Sequence, residues 1–182
     1  MAGRPAVFLD RDGTIIAHVP YLGHPADVRL LPHAAEGIRR LRAAGLSCYL
    51  VSNQGGVALG YFTLDDVEAV HARMLELLAA GGAGLDGIAF CPHHPRGTVP
   101  GFAGACACRK PGTGMVEDLA RRYGLDPAQS HLAGDSPVDV ECARRAGCAP
   151  LLVRGPLSAE VPPDIPRVAD LGEAADRILG GR

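Results

Sequence analysis

Short apolar runs alternate with longer segments of helical periodicity along this chain, and this alternation constrains the fold more than any other feature. The apolar runs predict five β-strands, at residues 6–10, 47–52, 87–91, 131–134 and 149–153. Apolar residues at helical spacing predict helices at 34–44, 64–80, 115–123, 138–146 and 171–179. Strands that alternate with helices are typical of a parallel sheet covered by helices, so we predict one α/β domain over residues 1–182.

Two segments, 18–31 and 92–113, show no regular pattern and are long for simple connections, which is common where loops carry function. The remaining intervals are filled by the predicted helices and strands. They leave no room for a large cap domain, so we expect loops to form the walls of any ligand pocket.

The charge balance and the hydropathy of the chain exclude several classes of partner. A net charge of -2 offers no excess of Lys and Arg for nucleic acid or an anionic membrane. No apolar run approaches the ~20 residues that span a bilayer, and no secretory signal pattern opens the sequence. We therefore predict a cytoplasmic monomer that acts on a small molecule.

Two aspartates, Asp10 and Asp12, stand where the first predicted strand gives way to a turn at Gly13. Ligands of open parallel sheets bind beyond the carboxyl ends of strands, and residues two apart in an extended chain point the same way. Asp10 is thus a candidate nucleophile toward phosphorus, and Asp12 a candidate general acid and base. Asp135 follows another predicted strand, and three carboxylates facing a phosphate suit Mg²⁺. Each aspartate taken singly is also a common turn or capping residue.

Four motifs in this order resemble those of the haloacid-dehalogenase (HAD) superfamily: residues 10–14 (DRDGT), 51–54 (VSNQ), 109–111 (RKP) and 134–135 (GD). The resemblance implies phosphatase activity through an aspartyl-phosphate and a sheet in the order 5-4-1-2-3. It implies Mg²⁺ held by the side chains of Asp10 and Asp135 and by the backbone carbonyl of Asp12. It also implies that Ser52 contacts the phosphoryl oxygens and that Lys110 neutralises their charge, which is the main form of catalysis in phosphoryl transfer.

The segment 91–108 contains the ligand set of a closed structural zinc site, namely Cys91, His93, Cys106 and Cys108. His94 is the alternative to His93. Residues 96–105 contain three glycines and a proline, so packing alone cannot order them. Because the cytosol keeps thiols reduced, we predict bound zinc rather than disulfides, with the metal fixing the adjacent Arg109 and Lys110.

This zinc loop resembles two branches of the superfamily, the heptose-bisphosphate phosphatases and the histidinol-phosphate phosphatases. The length of the loop and the residues that follow Ser52 favour the heptose branch. That resemblance implies removal of the 7-phosphate of D-glycero-D-manno-heptose 1,7-bisphosphate. Histidinol-phosphate hydrolysis remains the nearest alternative, and a non-catalytic zinc-binding interaction module is a third hypothesis.

The heptose branch also implies a set of substrate contacts, namely His18, Val19, Pro20, Tyr21, Asn53, Gln54, Gly55 and Arg109. The planar fork of Arg109 suits a second, distal phosphate. Ser136 departs from the lysine that many heptose phosphatases carry at this position, and this leaves the exact substrate open. For Asp139 we predict the role of an exposed carboxylate near the start of a helix.

Overall fold

The computed structural model of the protein describes residues 3–181, in which six parallel strands form one sheet. The strands are β1 (Ala6–Leu9), β2 (Ser47–Asn53), β3 (Gly87–Cys91), β4 (His131–Gly134), β5 (Ala149–Val153) and β6 (Arg167–Val168). The helices are α1 (Ala34–Ala43), α2 (Gly56–Leu59), α3 (Leu64–Ala80), α4 (Gly114–Tyr123), α5 (Pro137–Ala146) and α6 (Leu171–Gly180). Short 3₁₀ turns lie at Pro25–Asp27, Pro127–Gln129 and Ser158–Glu160.

The sheet has the order β3-β2-β1-β4-β5-β6, which confirms the predicted order of five strands and adds a sixth at the β5 edge. Leu152 and Val153 of β5 pair with Arg167 and Val168 of β6, respectively. Strand β6 has two residues, which are too few to show a strand period, and α2 has only four residues. The sequence pattern therefore predicted neither element.

Alternate residues of the central strands pack into two hydrophobic clusters, one on each face of the sheet. Val7 and Leu9 join a cluster that includes residues of α1, α3 and α6, whereas Ala6 and Phe8 join a cluster that includes residues of α4 and α5. This follows from the two-residue period of a strand, and it explains why β1 is apolar at all four positions.

The two long segments remain mostly irregular. Residues 18–31 contain the 3₁₀ turn and end near the bridge between Ile16 and Leu30, while residues 92–113 contain only the bridge between His94 and Ala103. The chain passes from β1 to β2 through α1, and from β2 to β3 through α2 and α3. Within residues 3–181, no helix is both long and apolar enough to cross a membrane.

Candidate active site

A cleft of about 310 Å³ opens at the carboxyl ends of the central strands. Asp10 follows β1, Asn53 ends β2 and Asp135 follows β4, so the order of the sheet brings the three side chains to one edge. Loop residues from both long segments and from the start of α5 complete the walls: His18, Val19, Tyr21, His94, Arg109 and Val138. Residues separated by more than a hundred positions therefore meet in one pocket.

Lys110 lies at the bottom of this cleft and is only 3% exposed. Its Nζ donates hydrogen bonds to Asp10 Oδ1 at 2.6 Å, to Asp139 Oδ1 at 2.6 Å and to the carbonyl oxygen of Val51 at 2.8 Å. Burial by itself lowers the pKa of Lys110, but the two carboxylates outweigh it and raise the pKa above the ordinary value of a lysine. The ammonium is therefore a permanent positive charge beside Asp10.

The carboxylates around Lys110 form a site that a divalent cation fits. One oxygen from each of Asp10, Asp135 and Asp139 lies within 4.8 Å of the others. Asp135 Oδ2 is buried and has no hydrogen-bond partner among residues 3–181. Burial raises the pKa of Asp135 to about 6, and burial raises that of Asp10 to about 7 although Lys110 opposes this. A cation would satisfy the orphaned oxygen and favour the ionised forms.

The prediction of an exposed Asp139 is wrong, because this residue is only 1% exposed. Its Oδ1 pairs with Lys110, and its Oδ2 accepts hydrogen bonds from the Ser136 amide at 3.1 Å and from the Ser136 hydroxyl. Ser136 and Asp139 form the capping box of α5, and a Cβ at Gly134 would lie 2.3 Å from Asp139 Cγ. The S-x-x-D spacing was the signal in the sequence that could have revealed this role. Because both Asp139 oxygens are occupied, a cation at this site would take its carboxylate ligands from Asp10 and Asp135.

Asp12 belongs to a second, mostly buried network that involves Arg11, a residue for which the sequence predicted no role. The Arg11 guanidinium donates to Asp12 Oδ2 at 3.1 Å and to Oδ1 at 3.2 Å, and also to Gln54 Oε1 at 2.8 Å. Gln54 Nε2 in turn donates to Asp12 Oδ2 at 3.0 Å and to Ser52 Oγ at 2.8 Å. The predicted general acid and the predicted phosphoryl contact Ser52 are thus connected through one amide.

Asn53 connects the end of β2 to the motif that contains Lys110. Its Oδ1 accepts from the Lys110 amide at 2.9 Å, and its Nδ2 donates to the Lys110 carbonyl at 3.0 Å. Both ends of the Asn53 amide are therefore occupied by the backbone. The neighbouring Arg109 donates from Nη1 to the His93 carbonyl at 3.1 Å, which ties its side chain to the segment 91–108.

Most of the predicted substrate contacts line the cleft: His18, Val19, Tyr21, Asn53, Gln54, Gly55 and Arg109. Pro20 is exposed to solvent and is not part of the lining. Tyr21 adopts a φ of 53° and packs against Tyr61, with ring centroids 4.2 Å apart. Apolar lining from Val138 and Leu157 was not predicted, because neither residue belongs to a recognisable motif.

The four predicted zinc ligands converge in the segment 91–108. Cys91 Sγ lies 3.5 Å from Cys106 Sγ and 3.2 Å from Cys108 Sγ, and those two sulfur atoms are 3.3 Å apart. His93 Nδ1 is 3.6 Å from Cys91 Sγ and 3.4 Å from Cys108 Sγ. Tetrahedral zinc with bonds of about 2.3 Å holds its sulfur ligands roughly 3.8 Å apart, so a slight expansion of this cluster accommodates the ion.

His94 lies outside this set of four ligands and lines the cleft instead. Cys91, Cys106 and Cys108 are free thiols and form no disulfide. The cluster therefore offers three thiols and one imidazole, which is the donor chemistry of a structural zinc site.

Comparison with known proteins yields matches over most of the chain. The HAD-hydrolase-like family matches residues 107–163. A D-glycero-beta-D-manno-heptose-1,7-bisphosphate 7-phosphatase of Rhodopseudomonas palustris is 47% identical over 144 residues, which cover 79% of this chain and 80% of that protein. A D-glycero-D-manno-heptose-1,7-bisphosphate 7-phosphatase of Thermosynechococcus vestitus is 46% identical over 155 residues, covering 83% and 79% of the two chains.

A solved structure shows the same architecture. The D,D-heptose 1,7-bisphosphate phosphatase of Bordetella bronchiseptica, complexed with magnesium and phosphate, superimposes with a TM-score of 0.87. It is 34% identical, and the match covers 98% of this chain and 99% of that one. The chain therefore belongs to the HAD-like hydrolases, in the family of the D-glycero-D-manno-heptose-1,7-bisphosphate 7-phosphatases.

Proposed function

We propose that this chain is a magnesium-dependent phosphatase that removes the 7-phosphate of D-glycero-D-manno-heptose 1,7-bisphosphate. The observation that carries the proposal is Asp10 at the base of the cleft, with Oδ1 2.6 Å from the charged Lys110 Nζ. A carboxylate nucleophile beside a fixed cation is suited to a phosphoryl group, whose negative charge would otherwise repel it. The relatives named for this activity support the choice of substrate.

The first half of the reaction transfers the phosphoryl group to Asp10. A carboxylate oxygen of Asp10 attacks phosphorus, and the bond from phosphorus to the ester oxygen breaks with its electron pair on that oxygen. Asp12 donates a proton to the leaving oxygen, which completes the alcohol product. Lys110 and Ser52 stabilise the charge on the phosphoryl oxygens.

The second half releases inorganic phosphate. A water molecule attacks phosphorus while Asp12 accepts the proton of that water, and the bond between phosphorus and Asp10 breaks. The side chains of Asp10 and Asp135 and the carbonyl of Asp12 would hold magnesium, which would supply positive charge to the phosphoryl oxygens. Each half uses Asp12 in the opposite protonation state, so one residue serves as acid and then as base.

Zinc has a structural role in this proposal. Cys91, His93, Cys106 and Cys108 would hold it in a closed site, and the Arg109 side chain is tied to this segment through the His93 carbonyl. Arg109 lines the cleft and is the candidate contact for the distal phosphate of a sugar bisphosphate. We further infer a single phosphatase domain that works as a monomer in the reducing cytoplasm, where the ligand thiols stay free.

A panel of phosphorylated metabolites, assayed by phosphate release with added magnesium, tests the proposal. We expect the highest kcat/KM on the heptose 1,7-bisphosphate, release of only the 7-phosphate, and loss of activity in an Asp10→Asn variant. Asp27→Asn, at an exposed aspartate outside the cleft, is the matched control and should retain full activity. A higher kcat/KM on histidinol phosphate would overturn the substrate, and inactivity on every phosphomonoester would favour the non-catalytic zinc module.

A further inference from the structure

Arg11 is a buried cation that the proposed chemistry leaves without a role. Arg11 is only 1% exposed, and a buried guanidinium lowers the stability of the fold unless charged or polar groups pair with it. Its Nε and Nη2 contact the two oxygens of Asp12 at 3.1 and 3.2 Å, which is the side-on, two-point geometry of an Arg–carboxylate pair. Two contacts fix the plane of the Asp12 carboxylate as well as its position.

Gln54 is the second group that contacts Asp12, and the orientation of its amide is determined by its neighbours. Arg11 can only donate hydrogen bonds, so the atom 2.8 Å from Nη2 must be the Gln54 carbonyl oxygen. The NH₂ group then faces Asp12 Oδ2 at 3.0 Å and Ser52 Oγ at 2.8 Å. Both N–H donors are used, and the residue is only 3% exposed, so its side chain has no donor left for a substrate.

This arrangement makes the two oxygens of Asp12 unequal. Oδ2 accepts N–H bonds from both Arg11 and Gln54, whereas Oδ1 accepts one longer bond of 3.2 Å from Arg11. A proton on Oδ2 would face two donors, so the protonated form carries its proton on Oδ1. Ser52 Oγ likewise accepts from Gln54, which leaves the Ser52 hydroxyl proton free to be donated to a phosphoryl oxygen.

We propose that Arg11 and Gln54 are positioning residues for the general acid, and that Asp12 transfers its proton from Oδ1. This inference rests on the proposed phosphatase function. In the first half-reaction the Oδ1 proton passes to the leaving alkoxide as its bond to phosphorus breaks. In the second, the same oxygen accepts the proton of the attacking water, which restores the starting state of Asp12.

The test compares leaving groups that do and do not need a proton. Heptose 1,7-bisphosphate releases a strongly basic alkoxide, whereas p-nitrophenyl phosphate releases a stable phenolate. We expect Arg11→Met and Gln54→Met to lower kcat/KM by about 100-fold on the heptose substrate, as for lost general acid catalysis, and by at least about tenfold less on p-nitrophenyl phosphate, whose leaving group needs no proton. Asp12→Asn should show the same selective loss and serves as the reference.

A purely structural role for these residues predicts equal losses on both substrates, and that result would overturn the positioning role. Thermal unfolding and zinc content identify variants that fold. Should the loss of the buried Arg11 prevent folding, Gln54→Met carries the test alone, because it leaves the pairing of Arg11 with Asp12 in place. Wild-type protein that is inactive on both heptose 1,7-bisphosphate and p-nitrophenyl phosphate with magnesium would instead refute the proposed function, together with this inference.

Discussion

The buried Asp139 gives a sharp prediction, because an Asp139→Asn substitution changes charge with almost no change in shape. The carboxylate accepts bonds from Lys110 Nζ and from both the amide and the hydroxyl of Ser136. An asparagine can still accept from Lys110, but its NH₂ group then faces the Ser136 amide, which is also a donor.

The size of the effect follows from these contacts. Weakening a charge-assisted bond to Lys110 costs about 1.5–3 kcal/mol, and an unsatisfied buried Ser136 N–H costs about 1–3 kcal/mol. Asp139 also repels Asp10, so removing the charge of Asp139 offsets part of this loss of stability. We expect the free energy of unfolding to fall by about 3 kcal/mol, near the ~3–5 kcal/mol typical of breaking a buried ion pair.

Urea unfolding of the zinc-loaded, magnesium-free protein measures this difference. The matched control is Glu141→Gln, which makes the same change on the same helix at an exposed residue paired with Arg145. That control should change stability by less than about 0.5 kcal/mol, as for surface ion pairs. An Asp139→Asn protein as stable as the control would refute the reasoning that this carboxylate stabilises the fold through Lys110 and the start of α5.

Four further predictions concern zinc, Lys110, the proposed magnesium ligand Asp135 and the buried His71. Removal of zinc by a strong chelator should lower the melting temperature and abolish phosphate release, and re-addition of zinc should restore both; unchanged activity without zinc would contradict the coupling of segment 91–108 to the site. Lys110→Met should lower kcat by about 100-fold or more, as for loss of one group that stabilises transition-state charge, which a steady-state assay at saturating magnesium measures. Asp135→Asn should abolish the rise in melting temperature caused by magnesium. Because the pKa of Asp135 is raised to about 6, ionisation of this carboxyl destabilises the metal-free fold as pH rises through that value. Without metal and at pH above about 7, the Asp135→Asn protein should therefore be more stable than the wild type. Burial, and to a lesser extent Arg11, lowers the pKa of His71 to about 3. The stabilisation that comes from keeping the folded imidazole neutral is therefore complete above about pH 6.5. It is lost as pH falls, and the free energy of unfolding decreases by up to ~1.4 kcal/mol per pH unit. His71→Leu should show a correspondingly shallower loss on acidification in urea titrations, and parallel curves for the two proteins would contradict this assignment.

Much of the fold could be predicted from local pattern alone. Four-residue strand β1 and seventeen-residue helix α3 differ strongly in apolar period, and both lie within one residue of their predicted bounds. The positions of Asp10 and Asp135 followed from the same pattern, because a residue after a parallel strand must lie at the carboxyl edge of the sheet. The ligand set of the segment 91–108 followed from residue type and spacing, which are also local properties.

The tertiary structure decided which polar residues are buried and what they contact. Nothing local distinguishes Arg11 from a solvated arginine, or Gln54 from a residue that contacts substrate, until β1 and β2 lie side by side. Asp139 became a partner of Lys110 only because α5 begins beside the segment that follows Cys108. Sequence alone determined the longer strands and helices and most of the candidate site residues, because periodicity and residue type are local. The pairing, burial and protonation of those residues depend on groups distant in the chain, and only the packed fold sets them.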